Sequence, residues 1–434
     1  MEAKVLKEDY FMHKQDTSNT DVMDRYVPLH RNRDYMLIVS AGTISAFGSK
    51  LSQIALPFLA LAMTQAPVWA GLLGAAQLLP YLLFSLPAGV WVDHVNRKKL
   101  LVVCDILRAV LLLSIPLAYG LGRLHILHLF VVVFASGLCT LLFEITDMAA
   151  LPHVVHTKQL GQARSLSEGI EATASVLGPG LGGLIIGLGR TTISGAIVAY
   201  IIDSLSYLLS ALALVMIRRP LSAPQSHSAT AVQVYDLRAE IQVGLCFIWQ
   251  HTTLRLLMLL TSLVNFLQAP MSLFVILIAQ DRFGLQAAHI GLLFGTAGIA
   301  ALLGSFLAAW LYRSERLQVI LQSSFLIWAV SAFIMAFAGS PLILALGLAL
   351  THFVWPLYAV AVVSYRLEQT PDDLQGRVIS SFRMLSYGAE PLGLALGGLA
   401  LTLFKPGMLF GAIALALLLC SIVMCWYRGA EVSG

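Results

Sequence analysis

The chain has 434 residues, of which 58% are hydrophobic and only 12% are charged, with a formal net charge of +4. Soluble globular chains carry about 45–50% apolar and about 25% charged residues, so this composition excludes a water-soluble enzyme and a disordered protein. We predict an all-α polytopic membrane protein, because each membrane-crossing helix needs about 20 apolar residues.

In chain order, apolar runs separated by polar residues predict twelve membrane-spanning helices. Spans one to six are predicted at Tyr35–Met63, Val68–Trp91, Leu100–Gly120, His125–Ala150, Leu166–Gly189 and Thr192–Ile217. Spans seven to twelve are predicted at Leu254–Gln280, Ile290–Tyr312, Leu317–Ala338, Leu342–Tyr365, Val378–Phe404 and Gly407–Tyr427.

These spans divide the chain into two six-helix bundles, at residues 35–217 and 254–427, with polar tails at 1–34 and 428–434. The first 34 residues lack the cationic start and following apolar run of a cleaved signal peptide, so the first apolar segment is expected to be a span itself. Residues 218–253 are predicted to be a linker, rich in Pro, Ser and Ala at first. From Asp236 to Trp249 its apolar residues have helical spacing, which indicates an amphipathic helix along the membrane surface.

The distribution of basic residues predicts the orientation of the chain. Eighteen Lys and Arg residues fall in the even loops and near the termini, whereas the odd loops hold only Arg123, Arg190, Arg282 and Lys405. Cytoplasmic loops carry the excess of Lys and Arg in membrane proteins. Both termini are therefore expected in the cytoplasm.

The two predicted bundles carry matching sequences. The stretch from Gly178 to Leu184 matches the stretch from Gly393 to Leu399 at five of seven positions, with an offset of 215 residues. At a similar offset, Pro87-Ala88-Gly89 at the end of span two falls on Leu307-Ala308-Ala309 in span eight. Two parallel six-helix repeats are typical of transporters that rock one half against the other, so we expect two pseudo-symmetric bundles.

Two motifs connect the chain with a known family. The segment from Gly89 to Lys99 resembles the loop-two motif of the major facilitator superfamily, G-x-x-x-D-[RK]-x-G-[RK]-[RK], with His94 replacing a basic residue and Asn96 replacing glycine. Asparagine tolerates a positive φ better than most residues, so the turn is still expected to form. Further details resemble the branch with enterobactin exporters and macrolide efflux proteins: Gln53 to Pro57, Asp105-x-x-Arg108, Asp203 to Ser206, and Gly376-Arg377-Val378.

The loop-two resemblance implies a gate formed by Gly89, Asp93, Arg97 and Lys98 with Asp105 and Arg108. The basic residues are expected to face carboxylates at the cytoplasmic helix ends, where Glu144 and Asp147 are available. Asp105 and Arg108 have the i, i+3 spacing of an ion pair within one helix, for which structural support is the alternative role. A plain positive-inside anchor is the alternative interpretation of the basic run.

The stretch Gly178, Pro179, Gly182 and Gly183 resembles the superfamily's antiporter motif, G-x-x-x-G-P-x-x-G-G, with Ala174 in its first position. Small residues four apart also form ordinary helix-packing surfaces in membranes, and the proline bends the helix. A tightly packed seam is expected here under either interpretation.

Charged residues at mid-membrane depth cost several kcal/mol unless they face water or a partner. Candidates for proton coupling are Glu390 in span eleven, Asp203 in span six, and Glu144 and Asp147 in span four. Lys50 and Glu390 are expected to face one cavity and to pair when substrate is absent. For Asp203 a structural hydrogen-bonding role is the alternative. Glu168 and Glu171 are interpreted as carboxylates at the N-terminus of span five.

The candidate substrate contacts are polar and aromatic residues on the helices that line the central cavity in the superfamily. They are Lys50, Gln53, Gln77, Tyr81, Asn265, Gln268, Trp355, Tyr358 and Glu390. A large cavity with aromatic residues and few charges suits amphiphilic, weakly specific substrates.

The sequence lacks a Walker loop, GxSxG and HExxH, so we expect neither ATP hydrolysis nor hydrolase chemistry, and no metal site or cofactor. The expected function is secondary active export of a drug, macrolide or siderophore-like molecule by proton antiport, in a bacterial inner membrane. The expected partners are substrate, protons and lipid, without nucleic acid, and the chain is expected to be a monomer. The alternatives are a lysophospholipid cargo, nutrient uptake, or a membrane-embedded enzyme or receptor.

Overall fold

A computed structural model describes residues 27–219, 221, 237–311, 317–371 and 374–432. Within these ranges only the backbone is described at 86, 90, 93, 94, 157, 237–241, 309–311, 376 and 426–432. Most of the predicted N-terminal tail and residues 222–236 of the predicted linker therefore lie outside the described residues.

Six long helices form the N-terminal bundle. Side-chain caps define two of their starts: Asn32 accepts a hydrogen bond from the backbone N–H of Tyr35 at 3.2 Å, and Thr191 with Ser194 forms a capping box. In order, spans one to six are Arg33–Thr64, Pro67–His94, Arg97–Gly120, Ile126–Ala150, Leu160–Leu188 and Thr192–Val215.

A connector helix, Leu237–Gln250, precedes the C-terminal bundle, and its Gly244 lies against span eleven. Eleven helical stretches of the described chain are long and apolar enough to cross a membrane, and the more polar span eleven completes the twelve. Span seven comprises Thr252–Gln268, Met271–Leu277 and a π-helical turn, Ile278–Arg282. Spans eight to twelve are Ala287–Leu311, Leu317–Ala336, Pro341–Gln369, Gln375–Ala400 and Pro406–Val432.

Span seven covers the predicted stretch Leu254–Gln280, but its helix is interrupted in the middle, at Ala269 and Pro270. Pro270 has no N–H to donate to the carbonyl of Phe266, four residues earlier. That carbonyl lies against Gly393 of span eleven, where an added Cβ would approach the oxygen to 2.1 Å. The missing side chain at Gly393 thus lets span eleven pack closely against the broken region.

Span five begins earlier than its apolar run. The helix starts at Leu160, six residues before the predicted Leu166, because a helix can extend beyond the apolar residues that cross the bilayer. Glu171 consequently lies eleven residues inside the helix. The interpretation of Glu171 as an N-terminal carboxylate is therefore wrong.

The glycines of the repeated stretch make equivalent contacts in the two bundles, which indicates that a pseudo-twofold axis relates the bundles. In span five, Gly178 and Gly182 lie against Lys50 and Ile54 of span one. Their counterparts in span eleven, 215 residues later, lie against span seven at Phe266 and Pro270. The symmetry extends to contacts between the bundles. Gly183 meets Gly291 of span eight, and its counterpart Gly398 meets Gly71 of span two.

The bundles approach each other at the end of the molecule opposite the termini, called here the far end. There Gly187 lies against Ala288, and near the middle Gly298 lies against Val176. Towards the termini, a Cβ added at Gly89, Gly161 or Gly169 would meet no atom within 4 Å. The glycine contacts between the two halves therefore lie at the far end and near the middle of the described chain, and no such contact is present at Gly89, Gly161 or Gly169.

Candidate functional site

The basic loop after span two binds helix C-termini. The Arg97 guanidinium donates to the Ala149 carbonyl at 3.0 Å, and Lys98 donates to the carbonyls of Val215 and Ile217 at 2.9 and 2.6 Å. Lysine near a helix C-terminus interacts favourably with the unpaired carbonyls. The expectation that Lys98 faces carboxylates is thus wrong, because its ammonium group is bound by these two carbonyls.

Asn96 and Gly89 also differ from their expected roles in the loop-two motif. Asn96 has φ −67° rather than a positive φ, and its side chain caps span three by accepting from the Lys99 N–H. No atom lies within 4 Å of a Cβ added at Gly89, so Gly89 makes no close contact with another helix in this conformation. The side chain of Asp93 lies outside the described residues.

Asp105 and Arg108 form a buried ion pair within span three. The Ser210 hydroxyl donates to Asp105 at 2.6 Å, and the Arg108 guanidinium stacks over the rings of Phe143 and Tyr207 at 4.4 and 4.2 Å. The Asp105 carboxylate therefore contacts both Arg108 and Ser210, and the Arg108 guanidinium contacts both Asp105 and the two aromatic rings. This arrangement ties span three to spans four and six and is structural support for the bundle.

Asp203 is buried between spans one and six, with 1% of its surface exposed. It accepts hydrogen bonds from Ser52 and Ser206. A Cβ at Gly48 would approach its carboxylate oxygen to 2.7 Å, so span one packs directly over it. These contacts favour the structural alternative for Asp203 over proton coupling.

Lys50 pairs with Glu171 rather than with Glu390. The ammonium nitrogen of Lys50 lies 2.8 Å from the carboxylate of Glu171, and the two side chains are 21% and 53% exposed. The expected Lys50–Glu390 pair is therefore wrong in this conformation, because span five supplies a nearer carboxylate. Glu390 is half-buried and has neither an ion pair nor a hydrogen bond to another described residue.

Glu171 is the functional candidate that the sequence interpretation missed. It precedes Gly178 by seven residues, which is two helical turns, so both lie on the face of span five that packs on span one. Gly178 leaves room for the stem of Lys50, since an added Cβ would lie 2.2 Å from the Lys50 Cβ. The seven-residue spacing between Glu171 and Gly178 is the sequence feature that could have identified Glu171 as a candidate.

Tyr81 and Glu144 form a second polar contact in the N-terminal bundle. The Tyr81 hydroxyl donates to the Glu144 carboxylate at 2.9 Å, joining spans two and four. Asp147 follows on span four, about one turn away, and is half-buried. Gln77 is half-buried on span two, whereas Gln53 on span one is exposed.

In the C-terminal bundle, two substrate candidates have unmet hydrogen-bonding capacity. The Asn265 amide donates to the Ser386 carbonyl at 2.9 Å, but its oxygen is buried without a partner, as is the amide nitrogen of Gln268. Buried polar atoms in proteins are nearly always satisfied. Both side chains therefore retain groups that a ligand or water molecule can bind.

Tyr358 and Trp355 belong to an aromatic cluster. The Tyr358 hydroxyl lies 2.8 Å from that of Thr261, and its ring is 5.1 Å from Trp328. Trp355 lies 6.0 Å from the same Trp328 ring. Tyr358 is 1% exposed, so it packs the interior in this conformation and Trp355 is the more accessible of the two.

Comparison with known proteins identifies the family. The family model described as "transmembrane secretion effector" matches residues 24–432, nearly the whole chain. The chain belongs to the major facilitator superfamily. The match agrees with the twelve helices, the two related bundles and the motif glycines at their seams.

Named relatives of this superfamily chain include drug exporters. It is 27% identical over 397 residues to the multidrug efflux pump Tap of Mycolicibacterium fortuitum, covering 89% of this chain and 94% of Tap. It is 21% identical over 367 residues to macrolide efflux protein A of Streptococcus pyogenes, covering 84% and 88%. The fold matches the crystal structure of the nucleoside transporter NupG with a TM-score of 0.66 at 11% identity, over 92% of this chain and 99% of NupG.

Proposed function

We propose that this multi-pass membrane protein exports an amphiphilic small molecule by proton antiport, working as a monomer and catalysing no chemical reaction. The family match and the names of its relatives support a drug-like or macrolide-like substrate. Inward movement of one proton supplies about 2.3 kcal/mol per 100 mV of membrane potential.

The observation that carries the proposal is the unequal contact between the two bundles. They are packed glycine to glycine at the far end, at Gly183–Gly291 and Gly71–Gly398, whereas Gly89 and Gly169 towards the termini end make no such contact. Alternating access is a rocking of such halves about a central site. With the termini in the cytoplasm, as the basic loops predict, this conformation opens inwards and receives substrate from the cytoplasmic side.

Glu390 is the proposed proton carrier in the C-terminal bundle. A carboxylate at this depth without an ionic partner is costly when charged, so protonation is the natural way to stabilise it. Glu390→Gln mimics the protonated form and cannot titrate. We expect it to lose proton-driven transport while retaining substrate binding, measured as dye flux in proteoliposomes with an imposed pH gradient.

Ser323→Ala is the matched control for that variant, because Ser323 is exposed on span nine and bonds only the Ile320 carbonyl of its own helix. We expect it to transport normally. Wild-type flux in Glu390→Gln would show that another group carries the proton.

The proposed function is tested by accumulation of a labelled macrolide and of ethidium in bacteria that produce the full chain. We expect lower accumulation than in cells without it, and equal accumulation once an uncoupler collapses the proton gradient. Accumulation that is unaffected by the chain for every compound tried contradicts transport. Proton-driven accumulation inside the cells contradicts export and favours uptake.

A further inference from the structure

Two arginines of the C-terminal bundle lie within electrostatic range of each other near the termini end. Arg366 belongs to the last turn of span ten, which ends at Gln369, and Arg383 belongs to span eleven. Tyr387, one turn after Arg383 on span eleven, is also within electrostatic range of Arg366. We call these three side chains the Arg366–Arg383–Tyr387 site.

Arg366 is buried without a counter-ion among the described residues. Only 7% of its surface is exposed. Its guanidinium stacks over the Phe382 ring at 4.8 Å, and its Nε has no hydrogen-bond partner. No carboxylate in the described part of the chain pairs with it. Arginine is almost never fully buried in proteins unless it is paired, so Arg366 retains the capacity to bind an anionic partner.

The charges around the site leave it positive. Arg366 and Arg383 together carry two positive charges. The C-terminal carbonyls of span ten contribute about half a negative charge, and Glu144 of span four, which is within electrostatic range of Arg383, contributes one. Charges of one sign repel strongly where the dielectric constant is low. An anion bound by the two guanidinium groups would remove this repulsion.

Arg383 and Tyr387 border the space between the bundles. Both side chains are exposed, Tyr387 to 47%. Arg383 lies within electrostatic range of a carboxylate of the N-terminal bundle, so its guanidinium is on the side of span eleven that faces that bundle. The site therefore combines one buried cation, Arg366, with two exposed groups that a molecule between the bundles can contact.

We propose that the Arg366–Arg383–Tyr387 site binds an oxyanion of the phosphate class, either free or as the head group of an amphiphilic molecule. A guanidinium group presents a planar fork of donors that fits two oxygens of such an anion. The Tyr387 hydroxyl can donate one further hydrogen bond. This inference goes beyond the proposed function and does not depend on it, because binding is measured without transport.

Calorimetric titration of the purified full chain tests the proposal, in a maltoside detergent and a phosphate-free buffer. Decyl phosphate is the anionic probe and decanol is its neutral counterpart. We expect decyl phosphate to bind at least about tenfold more tightly than decanol, because only the phosphate group makes charge-assisted hydrogen bonds. Arg366→Gln and Arg383→Gln each remove one positive charge, so decyl phosphate should bind about tenfold more weakly to either variant.

Arg282→Gln is the matched control. Arg282 also stacks over a phenylalanine ring, that of Phe283 at 5.7 Å, but it is exposed at the end of span seven. We expect decyl phosphate to bind to this variant as it does to the wild type.

Inorganic phosphate distinguishes the two sources of the anion. If it binds as tightly as decyl phosphate, the site recognises the free ion, whereas binding that is at least about tenfold weaker shows that the apolar chain contributes and that the ligand is an amphiphile. Both results support the site.

Stability separates a ligand site from a structural ion pair. Asp372 and Asp373 follow span ten and lie outside the described residues. If Arg366 has no partner in the chain, Arg366→Gln removes an unpaired buried charge, so it should unfold at the same or a higher denaturant concentration than the wild type without phosphate. Added decyl phosphate should stabilise the wild type and have little effect on the variant, because a ligand stabilises only the state that binds it.

Three results would overturn the oxyanion site: equal binding of decyl phosphate and decanol, wild-type affinity in both Arg366→Gln and Arg383→Gln, or easier unfolding of Arg366→Gln without phosphate, as for a pair with Asp372 or Asp373. The proposed function stands or falls separately. Absence of gradient-driven flux for every compound in proteoliposomes of the wild-type chain would refute transport and leave the oxyanion site standing.

Discussion

Burial distinguishes two ion pairs of similar chemistry in the N-terminal bundle. Asp105 and Arg108 are almost fully buried, whereas Arg164 and Glu168 are 55% and 73% exposed with a nitrogen–oxygen distance of 4.0 Å. Removing one member of a buried pair leaves an unpaired charge in the interior, while water screens an exposed pair. Only the buried pair is expected to matter for the stability of the bundle.

We expect Asp105→Asn to lower the free energy of unfolding by about 3–5 kcal/mol, because Arg108 would stay charged and lose its partner. The measurement is denaturant unfolding of the purified chain in detergent, followed by tryptophan fluorescence. Glu168→Gln, the exposed counterpart, should unfold like the wild type. Equal stability of the two variants would mean that burial is not what makes the Asp105–Arg108 pair important.

At the level of helices, the sequence predicts best what depends on local composition. Span lengths follow from the bilayer thickness, and the repeat from matching glycines at Gly178 and Gly393. The break at Pro270 lies inside an apolar run and the early start of span five lies in a polar stretch, so the apolar pattern reveals neither. The partner of Lys50 was mispredicted because it depends on which faces of spans one and five meet, and the apolar pattern does not give that pairing.

The close packing between spans five and eight can be tested by enlarging one of its glycines. A Cβ at Gly183 would lie 2.4 Å from the Gly291 Cα, so Gly183→Ala must push these helices apart at the far end. We expect markedly slower transport and a larger population open at the far end, measured as dye flux and as cysteine accessibility there. Gly411→Ala in span twelve is the control, because nothing lies within 4 Å of its added Cβ.

If Gly183→Ala and Gly411→Ala transported equally fast, close packing at this seam would not be needed for transport. By the pseudo-twofold, Gly398→Ala should resemble Gly183→Ala, because its Cβ would lie 2.9 Å from the Gly71 Cα of the other bundle. A defect in one variant without the other would indicate that the two seams have different functions.

For the whole molecule, the described conformation is one end-point of the proposed rocking. At the far end the helix backbones pack directly against each other, as at Gly183–Gly291. Two helix surfaces packed this closely either stay in contact in one arrangement or separate completely. Glu144 lies on span four of the N-terminal bundle and Arg383 on span eleven of the C-terminal bundle. Glu144 and Arg383 are therefore expected to change their separation when the bundles move.

The most direct test of the rocking of two bundles about a central site is a pair of distances in the full chain. Electron paramagnetic resonance would measure them between spin labels in a cysteine-free background. One pair, at exposed Arg190 and Lys405, reports the far end, and the other, at exposed Lys158 and Gln250, reports the termini end. Upon a change of pH or addition of substrate, the far-end distance should lengthen while the termini-end distance shortens. Distances that change together, or do not change in a chain that still transports, would contradict the account.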